Sequence, residues 1–209
     1  MIDHVLLAVT LVAGALPTPT LPSPELAQGP FSSAHMLLQK TFLKINVANI
    51  DVQFDRQAQA RFAELARGQA YSEALGQRLA PIAIGAERAI VQMQFVRDVP
   101  LGRWVSVVRD NLEEARAAGL ISKELEQTVG AGLPQWFAAL EKRGYEKGDR
   151  LIYAIAPDSL RTLVVSAGGQ VLIDKTDTDQ GVRRVVLASY FAPGSDFREP
   201  LLRALVGGR

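Results

Sequence analysis

The chain has 209 residues, of which 48% are hydrophobic and 22% are charged, a balance typical of a globular protein. This composition argues against a disordered, collagen-like or integral membrane protein. Lys and Arg number 23 and Asp and Glu 22, so the formal net charge is +1, and the scattered basic residues argue against nucleic-acid binding.

The amino-acid composition and motifs of the chain exclude several classes of functional site. The chain has no Cys, so it lacks disulfides, Cys-bound zinc and a thiol nucleophile. Its two histidines, His4 and His35, lie near the N-terminus without metal-like spacing. Phosphate-loop, dinucleotide-binding and serine-hydrolase motifs are missing from the sequence. We therefore predict no metal and no cofactor.

The N-terminal segment has the pattern of a secretory signal. Residues 5–16 read VLLAVTLVAGAL, which is too short for a membrane span, and Ala13-Gly14-Ala15 fits a cleavage site. The first basic residue is Lys40, whereas a signal peptide normally starts with a basic segment. We predict a signal-peptide-like segment with a Pro-rich linker at 1–33, one domain at 34–209, and a periplasmic or secreted location, with a cytoplasmic one as the alternative.

The first half of the domain alternates strands and helices. Residues 36–54 predict a long strand or strand pair, with a bulge or bend near Ala48 where the alternation changes phase. Helices follow at 57–66, capped by Asp55, and at 71–84. Residues 87–98 return to period two, with Arg97 on the apolar face.

The second half begins with two helices, at 102–118 and from Ser122 to near Gly144. Strands at 150–156, 160–166 and 171–174 form a meander, and helices at 180–191 and 197–205 close the chain. Half-alternating strands suit an antiparallel sheet with one covered face. The predicted fold class is α+β, one antiparallel sheet with helices on one side.

Four polar residues are candidates for ligand contact. Asn111 lies within an apolar helix stripe, where its amide is either tied to the backbone or turned towards a ligand. Arg97 either forms an ion pair or holds an anionic head group. Lys44 and Asn46 share a strand face and either line a cleft or contact solvent.

Several strings, in their order and spacing, resemble the chalcone isomerase family, especially its bacterial chalcone-isomerase-like branch, over residues 36–208. They are Phe42-Leu43-Lys44-Ile45, Gln94-Phe95-Val96-Arg97-Asp98-Val99-Pro100-Leu101, Lys147-Gly148-Asp149 and Leu205-Val206-Gly207. The resemblance implies an open-faced β-sandwich with a cleft between a large antiparallel sheet and its helices. Plant members close a chalcone to a flavanone there without a cofactor, whereas other relatives lack the activity and some bind fatty acids.

The family's catalytic residues are only partly matched. Its tyrosine falls on Trp104 and its asparagine on Asn111, while its threonine falls on Asn46 and its lysine on Asp98. Its arginine has no clear match. An indole cannot act as a phenol does, and a carboxylate near a developing oxyanion opposes its charge. The resemblance therefore implies that the plant reaction is disfavoured.

Our first prediction is a non-catalytic protein, with no catalytic residue, that binds a lipophilic small molecule, a fatty acid or an aromatic compound. Trp104 would supply apolar wall, and the polar contacts would come from Lys44, Asn46, Arg97 and Asn111. The alternative is a cofactor-free isomerase, an intramolecular lyase, acting on an enone or polyphenol. A partner-binding structural protein is the third possibility, and the sequence predicts no oligomeric state.

Overall fold

The computed structural model describes residues 26–40 and 45–207, and these form an α+β fold. The strands are β1 Ser33–Lys40, β2 Ile45–Phe54, β3 Ala89–Phe95, β4 Arg150–Ala156, β5 Ser159–Val165 and β6 Val171–Asp177. The helices are α1 Arg56–Ala66, α2 Glu73–Ile84, α3 Leu101–Ala117, α4 Lys123–Trp136, α5 Gln180–Phe191 and α6 Arg198–Gly207, with a short 3₁₀ helix at Ala138–Leu140.

All six strands form one antiparallel sheet in which their spatial order follows the chain. The cross-strand register aligns a row of apolar residues on one face, namely Met36, Ile50, Met93, Leu151, Val164 and Ile173. This face shares a continuous core with the helices, whereas Ile152, Leu163 and Val165 form a separate small cluster on the other face. The predicted open-faced sandwich of sheet and helices is confirmed.

The first two strands pair through an irregular register, as the change of phase predicts. Leu38 lies opposite Ala48, but the next residue, Gln39, lies opposite Asn46. Val47 is therefore the extra residue of a bulge beside Ala48. The bulge reverses the side-chain phase, so that Ala48, Ile50 and the residues after them alternate towards the core.

Local capping explains where most helices begin. The Ala58 N–H donates to Asp55 Oδ1 at 2.7 Å, and the Leu125 N–H donates to Ser122 Oγ at 3.2 Å. Each cap supplies an acceptor to a backbone donor that has no partner within the helix. The bounds predicted for α5 match the observed ones. The end predicted for α4, near Gly144, is wrong, because α4 ends at Trp136 and the chain continues as the short 3₁₀ helix.

Two strand ends differ from the prediction, and both differences affect the site. β3 ends at Phe95, so Arg97 lies in the following loop and not on the strand as predicted. β6 continues to Asp177, past the predicted end at residue 174. Cross-strand pairing of Lys175 with Thr162 and of Asp177 with Leu160 extends this strand.

A buried carboxylate fixes the loop between α4 and β4. Asp149 is fully buried and accepts hydrogen bonds from Arg143 Nη1 at 2.8 Å, the Glu146 N–H at 2.9 Å and the Ala167 N–H at 3.1 Å. The same loop pairs with the end of β3, since the Phe95 N–H donates to the Asp149 carbonyl at 3.0 Å. This network holds the end of β3 in place, and with it the loop that carries Arg97.

Candidate functional site

A cavity of about 450 Å³ lies between the helices and the covered face of the sheet. Strands β3 to β6 form its floor, and helices α3, α4 and α5 form its roof. Its walls are mostly apolar and include Phe95, Leu112, Leu133, Val186 and Phe197. A concave, mainly apolar site of this size with a few polar groups is the usual form of a small-molecule site.

Three of the five predicted contact residues line this cavity: Arg97, Trp104 and Asn111. Trp104 is buried and packs against Phe137, with ring centroids 4.5 Å apart, so it forms part of the apolar wall. Asn111 is 9% exposed, and its amide has no hydrogen-bond partner in the described part of the chain. The amide is therefore available to a molecule in the cavity.

Of the other two predicted residues, the structure describes only Asn46, which does not line the cavity. Asn46 is exposed, accepts a 2.8 Å hydrogen bond from Gln39 Nε2 and is not part of the lining. Its position before the bulge residue Val47 turns it away from the row of core-facing residues on β2. Lys44 lies outside the described residues.

Two arginines stand at one end of the cavity. Arg97, in the loop after β3, and Arg103, in the first turn of α3, both line it and are exposed. Neither has an ion-pair partner among the residues that the structure describes. Asp98 lies beside them, and its Oδ1 accepts the Lys147 N–H at 2.8 Å. Formally this end of the cavity carries one net positive charge.

The edge strand β6 supplies a second charged group. Lys175 Nζ lies 2.8 Å from Asp177 Oδ2 and 4.0 Å from the centroid of the Trp136 ring, and all three residues line the cavity. Both charged side chains are partly exposed, so the pair is screened by solvent. The prediction ended β6 too early to place this group at the site.

Tyrosines form the part of the site that the sequence did not reveal. Tyr153 on β4 and Tyr190 on α5 line the cavity, and neither hydroxyl has a hydrogen-bond partner in the described chain. Burial raises the pKa of both groups above the ordinary tyrosine value, so both stay protonated and can donate. Tyr153 shares a strand face with Leu151 and Ile155, which is the signal that identifies it.

A third tyrosine lies behind the cavity wall. Tyr145 is fully buried and stacks on Phe95, with ring centroids 4.1 Å apart. The distance between the ring centroids of Tyr145 and Trp104 is 5.5 Å. Its hydroxyl has no hydrogen-bond partner among the residues that the structure describes. Burial raises the pKa of Tyr145 well above its ordinary value, so this hydroxyl is neutral as well.

Within residues 26–40 and 45–207 no cluster of His, Asp and Glu side chains has the arrangement of a metal site. No helix in those ranges is both long and apolar enough to cross a membrane.

Comparison with known proteins found no matching family model and no matching curated protein. Among solved structures, a fatty-acid binding protein of Arabidopsis thaliana is similar, with a TM-score of 0.49 and 14% sequence identity. The match covers 88% of this chain and 94% of that one.

Proposed function

We propose that this chain is a chalcone-isomerase-like protein that holds a lipophilic small molecule, a fatty acid or an aromatic compound, without catalysing a reaction. The observation that carries the proposal is the cavity of about 450 Å³ with mostly apolar walls and unpaired polar groups inside. Its volume falls within the roughly 300–1,000 Å³ usual for small-molecule sites. Apolar walls provide affinity, and the polar groups orient the ligand.

The chain offers a built-in reporter of binding. It contains two tryptophans, Trp104 and Trp136, and both line the cavity. A lipophile that enters the cavity displaces water from the indole rings and changes their emission. We expect octadecanoic acid, or chalcone as an aromatic probe, to shift the tryptophan fluorescence of delipidated protein with saturation at one molecule per chain.

A pair of matched variants separates cavity binding from surface adsorption. Val186→Phe adds volume to a buried wall on α5, whereas Val171→Phe makes the same change at an exposed position of β6. We expect the first to abolish the titration and the second to leave it unchanged. Native mass spectrometry of freshly purified protein provides an independent readout. Absence of a bound molecule there, together with a flat fluorescence titration, would contradict the proposal.

A second candidate, a cofactor-free isomerase acting on an enone or polyphenol, is favoured by the protonated hydroxyls of Tyr153 and Tyr190. Neutral donors in an apolar site can stabilise an oxyanion that develops on a substrate carbonyl. Conversion of a bound enone, measured as the loss of its absorbance, would favour this candidate over a non-catalytic binding protein.

We also propose that the protein is exported, on the strength of the apolar run at 5–16 and the small residues Ala13-Gly14-Ala15. These residues lie outside the described ranges. Protein recovered from its native host should begin after Ala15 and before about Ser33. Recovery of a chain with Met1 intact in the cytosol would refute the proposal.

A further inference from the structure

Tyr153 and Tyr190 reach the cavity from opposite walls. Tyr153 projects from β4 in the sheet, and Tyr190 projects from α5, which packs against β5. Thr162 lies directly across from Tyr153 on β5, also lines the cavity and has no hydrogen-bond partner in the described chain. Neutral hydroxyl groups therefore line the cavity on both sides.

These hydroxyl groups determine which lipophiles bind with high affinity. An all-methylene chain in the cavity removes water from the hydroxyls and offers them no acceptor. Each buried donor left unpaired in this way lowers affinity by about tenfold. A ligand oxygen with two lone pairs restores a hydrogen bond to both tyrosines, and sites built around such donors discriminate strongly against analogues that lack the oxygen.

The charge distribution indicates that this oxygen is neutral. The charged residues of the described lining, Arg97, Asp98, Arg103, Lys175 and Asp177, are all exposed or partly exposed. Lys175 lies opposite Thr162, but its ammonium group is paired with Asp177 at 2.8 Å, so an anion beside the tyrosines would be buried without a free counter-ion, which is strongly unfavourable. A ketone oxygen meets both conditions because it accepts two hydrogen bonds and has no charge.

We propose that the cavity selects lipophiles with a carbonyl group within their apolar body, whose oxygen accepts hydrogen bonds from Tyr153 and Tyr190. This inference rests on the proposed ligand-binding function and narrows it to oxygenated lipophiles. A carboxylate at the end of such a molecule would lie near Arg97 and Arg103, away from the tyrosines.

The test compares octadecanoic acid with octadecanoic acids that carry a ketone at carbon 7, 9 or 12, all titrated by tryptophan fluorescence. We expect at least one ketone to bind about tenfold more tightly than the parent acid. Tyr153→Phe and Tyr190→Phe should each remove most of that preference, measured as the ratio of the ketone affinity to the parent-acid affinity of the same variant. Tyr71→Phe is the matched control, because Tyr71 lies outside the cavity and packs on Arg203.

The infrared carbonyl stretch of the bound ketone gives a readout that needs no variant. Two hydrogen bonds should lower its frequency relative to the same ketone in hydrocarbon solvent. Equal affinity for ketone and parent acid, or an unshifted carbonyl stretch, would overturn this inference and leave the binding function intact. If none of the four acids binds, both the inference and the proposed function fail.

Discussion

Replacing Asn111 by Leu separates a structural amide from a ligand-binding one. The amide is 9% exposed, lines the cavity and has no hydrogen-bond partner in the described chain. If it were a structural tie, its loss would destabilise the fold. Because it has no such tie, an apolar side chain of similar size should instead stabilise the protein without ligand.

The magnitude follows from the burial of the amide. An unpaired buried polar group costs about 1–3 kcal/mol, and contact with the cavity offsets part of that cost. We expect Asn111→Leu to raise the free energy of unfolding by about 1 kcal/mol, which is about 2–4 °C in Tm for a domain of this size. Affinity for octadecanoic acid or for chalcone should fall about tenfold, the equivalent of one neutral hydrogen bond.

The assays are urea unfolding of delipidated protein and tryptophan fluorescence titration. Ser189→Ala is the control, because Ser189 also lines the cavity but its hydroxyl donates to the Val186 carbonyl at 2.8 Å. This change should reduce stability by about 0.5–1.5 kcal/mol. An Asn111→Leu protein that loses stability and binds both probes unchanged would refute the ligand-facing interpretation.

Three other predictions concern charged and aromatic residues. Arg143→Ala leaves the buried Asp149 carboxylate without its 2.8 Å partner and should lower the free energy of unfolding by about 3 kcal/mol. The control Arg203→Ala breaks an exposed ion pair and should lower it by only about 1 kcal/mol, so equal losses in the two variants would contradict the prediction. Chalcone should cyclise no faster with the protein than without it, because the resemblance to the chalcone isomerase family matches Trp104 and Asp98 to that family's tyrosine and lysine, and a plant-like rate in an absorbance assay would refute that assignment. Arg97→Ala should weaken the binding of octadecanoic acid about three- to tenfold in the fluorescence titration. The expected loss is smaller than for a buried arginine because Arg97 is exposed, and an unchanged affinity would exclude a contact between Arg97 and the head group.

Local signals account for most of what the sequence predicted. Helix α5 begins after Asp179, whose side chain accepts the Gly181 N–H at 2.6 Å, and such caps depend only on neighbouring residues. The stripe containing Trp104 and Asn111 could be predicted because helical periodicity shows which residues share a face. Both residues line the cavity.

The missed residues depend on contacts distant in sequence. Residues 175–177 read Lys-Thr-Asp, which lacks strand-forming periodicity, and they become part of β6 because they pair with β5. Tyr153 has the strand parity of a core residue, but only the packing of α5 over the sheet turns that part of the core into a cavity. The sequence left open whether Asn46 lines a cleft or contacts solvent, because its orientation depends on which residue of the bulge is extra.

The tyrosines also predict how the fold responds to alkali. The chain has four tyrosines, and burial raises the pKa of Tyr145, Tyr153 and Tyr190 above the ordinary value of 10.0. Above pH 10 the unfolded chain releases protons that the folded chain keeps, so stability is full below that pH and falls as the pH rises.

Above pH 10 each of these three groups lowers the free energy of unfolding by at most about 1.4 kcal/mol per pH unit, or about 4 kcal/mol together, so a domain of ordinary stability should unfold in strong alkali. Tyrosinate absorbance should then rise cooperatively with the loss of far-ultraviolet circular dichroism. The half-buried Tyr71, whose pKa is raised by burial and by Glu199, is the fourth group that contributes to this absorbance. Tyr153→Phe should reduce the slope of stability against pH by about a third, whereas Tyr71→Phe should change it little. Gradual ionisation of all four groups near pH 10 in a chain that keeps its circular dichroism would show that water reaches these hydroxyls freely, and the cavity could not then discriminate between ligands through them.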